Sequence, residues 1–181
     1  MLDLETMGTC PDAAIIAIGA VSFGKDCIES RFYEVIDLDS CVDSGGIMEA
    51  STVLWWLVQN DAARRAITSE GLSLVRALQC FNAWCQTLGD KKDLLVWGNG
   101  SDFDNVLLNA TYARMGMALP WYYYNNRCYR TLKALYPDIK IRREGIKHNA
   151  LNDAENQANH LMDIFNTHNS CWQTFEVAQT Q

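Results

Sequence analysis

The run from Ala13 to Phe23, AAIIAIGAVSF, constrains this chain more than any other stretch. It is apolar almost throughout, so neither side of it can be left to water. Cys10-Pro11-Asp12 and Gly24-Lys25-Asp26 bound it with turn-forming residues. This pattern predicts a strand buried on both faces, which needs cover from two sides. Gly19 within it leaves room for a close neighbour or a bulge.

The flanking segments predict two more strands. Residues 1–4 read as a strand, with Glu5 to Thr9 as the turn out of it. Ile28 to Leu38 carries Phe32, Val35, Ile36 and Leu38 at looser alternation. Short connections between the three predict an antiparallel meander. After a loop at Asp39–Gly46 the pattern changes to helical. Ser51 reads as the cap of a helix through Leu57, containing the pair Trp55-Trp56. Neighbouring helix residues cannot share a face, so both rings are buried or one of them lines a groove. Leu74, Leu78, Phe81, Cys85 and Leu88 mark an amphipathic helix over Leu72–Leu88. Leu94–Trp97 reads as a short buried strand, followed by a Gly98-Asn99-Gly100-Ser101 turn and a helix from about Asp102. Pro120–Asn126 is irregular or a brief strand. Arg127–Tyr136 reads as a helix stopped by Pro137, Ile139–Lys147 as a basic loop, and Ala154, Ala158, Leu161 and Phe165 as one face of a final helix. Strands first and then alternating helices and strands predict an α/β or α+β domain with a mixed sheet.

With 181 residues, the chain is expected to form one domain, residues 1–181, with a sizeable core. No stretch approaches the roughly 20 apolar residues of a membrane span, and the acidic start does not resemble a signal peptide. The seven cysteines, Cys10, Cys27, Cys41, Cys80, Cys85, Cys128 and Cys171, are scattered and form no C-x-x-C pair. Reduced thiols in a cytoplasmic setting follow, rather than a zinc site or a disulfide framework. The net charge of −7 does not suggest a nucleic-acid binder. Yet Arg127, Arg130, Lys133, Lys140, Arg142, Arg143 and Lys147 face only Asp138 and Glu144 in their segment. That local surplus fits either a phosphate-binding surface or a solvated basic face.

Three acidic stretches carry the chemistry. Asp3 and Glu5 alternate with Leu2 and Leu4, so on a strand both carboxylates project from one face. Carboxylates this close repel unless a cation lies between them, and hard oxygen donors suit Mg²⁺ or Mn²⁺. Taken alone, the pair also fits a solvated terminal tail. Asp102 and Asp104 follow the glycine-rich turn, where acids also suit a helix N-terminus. His148 and Asp153 are five apart. They converge only if His148 lies in the loop before a helix and Asp153 in its first turn.

Asp3-Leu4-Glu5-Thr6, Asn99 to Asp104 with its Phe103-Asp104, and His148-x4-Asp153 resemble, in order, the three motifs of the DEDDh 3′–5′ exonucleases, the DnaQ-like group with a ribonuclease H-like fold. The chain is most similar to the ribonuclease T-like members of phage and prophage type, through Thr52–Leu57, Trp97–Gly100 and Arg127–Thr131. This resemblance implies an α/β, ribonuclease H-like fold with a central mixed sheet of five to six strands flanked by helices. It implies that Asp3, Glu5, Asp104 and Asp153 bind two divalent ions, Mg²⁺ or Mn²⁺, and that His148 acts as general base for the attacking water. Asp102 precedes the matching position. Thr6 and Met7 would meet the 3′-terminal nucleotide with Asn99 and Phe103 nearby, Trp55 or Trp56 would stack on a base, and Arg127, Arg130 and Arg143 would contact phosphates. The implied partners are 3′ ends of single-stranded DNA or RNA in a bacterial or phage-infected cell, with a monomer or a homodimer both open. The chain departs from the pattern in one respect: only Met1 and Leu2 precede Asp3. Two other readings share the site, a phosphodiesterase of dinucleotides or other small substrates and a non-catalytic nucleic-acid-binding module.

Overall fold

A computed structural model describes residues 1–167. Three antiparallel strands come first: β1 (Leu2–Thr6), β2 (Ile15–Phe23) and β3 (Ile28–Val35). Two short strands, β4 (Val96–Gly98) and β5 (Asn126–Cys128), add to the far edge of β1 in parallel. The sheet is mixed and five-stranded, in the order β3-β2-β1-β4-β5. β1 is therefore central, although only Met1 and Leu2 precede Asp3. Leu2 pairs with Ala20 on one side and with Gly98 on the other.

The helices are α1 (Leu38–Asp43), α2 (Ala50–Leu57), α3 (Asp61–Ile67), α4 (Leu74–Leu88), α5 (Asp104–Arg114), α6 (Tyr129–Leu135) and α7 (Ala150–Thr167). α4 and α5 share a core with Leu2, Leu4, Ile15 and Ile18. α7 packs with Val21 and Trp97 in a second cluster. β2 is thus buried on both faces, as its apolar run requires. Gly19 serves a close approach, since a Cβ there would overlap the backbone of Ala150 and Leu151 at the start of α7.

Several boundaries differ from the sequence pattern, each for a local reason. β1 continues through Glu5 and Thr6, which pair with Ala17 and Ile15 across a register shift. The third strand ends at Val35, because Asp37 accepts a hydrogen bond from the Ser40 backbone N–H and caps α1 where a loop was expected. α2 starts one residue before Ser51, with Glu49 at the cap position. α3 was not expected, and Asn60 caps it through the Ala63 N–H. Arg127 lies on β5 rather than in a helix, with α6 beginning at Tyr129. Cys10, Cys27, Cys41, Cys80, Cys85 and Cys128 are free thiols; Cys171 lies outside the described residues. Among the described residues, no helix is long and apolar enough to cross a membrane.

Candidate active site

The position of α7 over the sheet creates the site. Asp3 pairs across the ladder with Gly19, and the start of α7 presses on Gly19. The first turn of α7 therefore hangs above β1. Asp153 sits in that turn, and its carboxylate meets those of Asp3 and Glu5. One oxygen from each of the three lies within 4.8 Å of the other two. Asn149 caps α7 by accepting the Asn152 N–H at 3.1 Å. His148 stands just before the helix with φ of 62°. Its backbone N–H donates to Asp153 Oδ2 at 2.9 Å. The loop-then-first-turn arrangement expected for this pair is the one observed.

Asp104 enters from the opposite edge of β1. β4 ends at Gly98, and Asp104 takes over where the strand stops. Its Oδ1 accepts the Leu4 N–H at 3.2 Å and its Oδ2 accepts the Asn99 N–H at 2.9 Å. A Cβ on Gly98 would overlap Asn105 and crowd Asp104, so the glycine admits the carboxylate. Asp104 lies outside the three-carboxylate group but lines the same cleft.

The cleft has a volume of about 280 Å³. Asp3, Glu5, Asp104, Asp153 and His148 line it, as do Asn99 and Phe103. Arg130, Lys133, Arg143 and Lys147 supply positive charge along the same wall. A larger cavity of about 430 Å³ lies elsewhere, between Phe23, Trp84, Leu88 and Trp97. It is mostly apolar, and among the described residues its only lining carboxylate is Asp93, so the smaller cleft is the better candidate for chemistry.

Burial and mutual repulsion act together on these acids. Burial raises the Asp3 carboxyl well above the usual range, and Asp104, Glu5 and Asp153 push it further, against a hydrogen bond from Gln157. Glu5 is raised to about 8 by burial and then by Asp153 and Asp104. Burial raises Asp104 to about 7, although its backbone donors and Arg130 oppose the rise. Such a group of oxygens, destabilised as bare anions, matches the donor chemistry of a hard divalent cation. His148 is shifted down by burial and by Lys147 and Arg143, against Asp153. This shift favours the neutral ring, the form that can accept a proton.

The remaining expected residues divide. Trp55 is 41% exposed, and its ring meets the His148 ring edge-on at 4.8 Å. Trp56 is buried and donates from Nε1 to the Thr6 carbonyl at 2.9 Å. The tryptophan pair therefore splits into one core ring and one open ring. Thr6 donates to the Gly8 carbonyl, and Met7 packs against core residues, so neither lines the cleft. Arg130 donates to the Asn99 carbonyl at 2.7 Å, and Arg143 approaches Asp153 Oδ1 at 3.3 Å. Arg127 donates to the carbonyls of Tyr124 and Asn126 and does not line the cleft.

Sequence reasoning missed Gln157. It is buried in the cleft, donates from Nε2 to Asp3 Oδ1 at 2.8 Å, and its Oε1 has no partner. The signal was present: Gln157 is four residues after Asp153, on the same face of α7. Lys133 and Lys147 belong to the basic segment read from the sequence, and both line the cleft.

Residues 1–165 match the model of the Rv2179c-like 3′-5′ exoribonuclease domain. No curated protein matches the chain. The crystal structure of cell-death related nuclease 4 (CRN-4) superposes with a TM-score of 0.51 at 16% identity. The match covers 92% of this chain and 62% of that one, so this chain spans less than two thirds of its length. The likeness is one of fold, a mixed five-stranded sheet flanked by helices.

Proposed function

The chain belongs to the Rv2179c-like 3′-5′ exoribonuclease domain family, and from that membership we propose that it is a metal-dependent exonuclease that removes nucleotides from 3′ ends of single-stranded RNA. The observation that carries this reading is the convergence of Asp3, Glu5 and Asp153 within 4.8 Å. β1 and α7 contribute these carboxylates from opposite ends of the described chain, and Asp104 stands beside them in one cleft. The set fits the DEDDh pattern, and we carry with it the expectation of one exonuclease domain over residues 1–181, of ribonuclease T-like, phage or prophage type. The same reading places it in the cytoplasm and keeps the homodimer, which sedimentation tests.

Asp3, Glu5 and Asp153 would hold Mg²⁺ or Mn²⁺, with Asp104 completing the set for a second ion. When bound, such ions would supply positive charge against the phosphodiester and lower the pKa of a bound water. The chain's own groups do the rest. His148, neutral and held at the rim by its backbone bond to Asp153, takes the proton of that water. Arg130, Lys133 and Lys147 hold the phosphates of the strand. The exposed face of Trp55 stacks on a base near the 3′ end, a contact worth about 1–3 kcal/mol. Thr6 and Met7 would act on the terminal nucleotide only indirectly, because neither lines the cleft.

The cleft of about 280 Å³ has room for one terminal nucleotide, which a dinucleotide presents as well as a polymer does. That observation keeps one second reading, hydrolysis of dinucleotides. The experiment is a time course on 5′-labelled single-stranded RNA and DNA of one sequence, with Mn²⁺, with Mg²⁺ and with EDTA, alongside a dinucleotide. A metal-dependent ladder from the 3′ end, faster on RNA, is expected. Turnover of the dinucleotide alone supports the second reading. Binding without cleavage in either metal supports a non-catalytic module and refutes the proposal.

A further inference from the structure

Residues 136–149, between α6 and α7, contain neither helix nor strand. Side chains of α7 nevertheless hold this strap along its length. The Ile146 N–H donates to Asn152 Oδ1 at 2.9 Å. The Glu144 N–H donates to Asn156 Oδ1 at 2.9 Å, and Asn156 Nδ2 donates back to the Glu144 carbonyl at 2.9 Å. His160 Nε2 lies 2.7 Å from the Ile139 carbonyl. That carbonyl can only accept, so Nε2 donates and Nδ1 is left to accept the Tyr129 hydroxyl at 2.7 Å.

Asn152, Asn156 and His160 recur every four residues, which puts them on one stripe of α7. The Asn156 carboxamide supplies both the donor and the acceptor that pair with the two backbone groups of Glu144. The strap fits this stripe closely. Gly145 has φ of +78°, and a Cβ there would overlap the Asn152 carboxamide.

The strap carries Arg143 and Lys147 to the cleft. The Arg143 side chain is half exposed, and its ion pair with Asp153 is long at 3.3 Å. The guanidinium is thus loosely held by its own contacts, and the anchored backbone at Glu144 sets where its side chain starts. We propose that Asn156 and Asn152 are positioning residues for substrate: they hold the strap so that Arg143 meets a phosphate of the single strand entering the cleft. This inference rests on the nuclease reading above.

The test is a double-mutant cycle on the full chain with Asn156→Ala, Arg143→Ala and the two combined, with Asn152→Ala as a second, less buried anchor variant. KM and kcat are read on single-stranded RNA, and Kd by fluorescence anisotropy over a salt series in EDTA. Circular dichroism checks that each variant is folded. Arg143→Ala is expected to weaken binding about tenfold and to flatten the slope of log Kd against log salt by about 0.7. Each anchor variant is expected to raise KM several-fold and flatten the same slope, with kcat within about twofold. The combined variant should be no worse than Arg143→Ala alone, because the anchor acts through the arginine. Multiplying effects, or an anchor variant that lowers kcat with KM unchanged, would overturn the inference. So would an Arg143→Ala protein that binds like the parent. If the parent itself cleaves nothing, the nuclease reading has failed, and the salt slopes still decide whether the anchors act through Arg143.

Discussion

Replacing Glu5 with Gln should stabilise the metal-free protein, and more so at high pH. Glu5 is 7% exposed and titrates at about 8 in the folded protein, against 4.5 for a free glutamate. Between those values the folded chain holds a proton that the unfolded chain has released, so this group's contribution to stability falls as pH rises. Above about pH 8 the folded state carries the whole cost of the buried anion. With the repulsion shared among Asp3, Asp104 and Asp153, that cost is about 2–5 kcal/mol. Gln removes the charge at nearly constant volume. The variant should therefore melt roughly 5–15 °C above the parent near pH 9 in EDTA, with the gap shrinking below about 1 kcal/mol near pH 5. The raw pH curve of the parent is not diagnostic. The Met1 amino group, held down to about 5 by burial, is neutral when folded and charged when unfolded between about 5 and 8, and so pulls the other way. The difference between variant and parent cancels that contribution. Thermal melts by circular dichroism across pH, with EDTA and then with Mn²⁺, provide the assay. Mn²⁺ should stabilise the parent and have much less effect on the variant. A variant no more stable than its parent near pH 9 in EDTA would refute the account of the cleft as a group of strained carboxylates.

Three further outcomes are expected. Asp104→Asn and His148→Ala should each abolish RNA shortening, with circular dichroism spectra unchanged; substantial turnover by either would remove that residue from the chemistry. Gln157→Ala should weaken Mn²⁺ binding about 10–100-fold, because it frees Asp3 from its one side-chain donor, and calorimetry reads this without any turnover. Trp56→Ala should cost about 3–5 kcal/mol of stability, whereas Trp55→Ala should leave the melt nearly unchanged and raise KM. The opposite assignment would mean that the exposed ring of Trp55 is not the one facing substrate.

The three motifs were legible because each is local: two acids on a strand, one at a helix start, and a histidine-aspartate pair spanning a loop and a first turn. What brings them together was only partly legible. Gly19 announced a close neighbour, but nothing in AAIIAIGAVSF says that the neighbour is the start of α7. The capping aspartate and asparagine at Asp37 and Asn60 began helices that hydrophobic periodicity alone does not mark, because α1 and α3 are too short to show it. Thr6 and Met7 come directly after the Asp3–Glu5 pair in sequence, yet their side chains turn to Gly8 and to the core. Arg127 shares its charge with the basic segment but is spent on the Tyr124 and Asn126 carbonyls. Side-chain direction, set by tertiary contacts, separates these residues from Arg130 and Arg143.

The most direct test of the central claim is one digestion in Mn²⁺ of three substrates of the same sequence: 5′-labelled linear RNA, 3′-labelled linear RNA and circular RNA. The acidic cleft as a 3′-end nuclease site predicts early release of the 3′ label as mononucleotide, a descending 5′-labelled ladder and an intact circle. Cutting of the circle, or no product from any substrate in Mn²⁺, would contradict it.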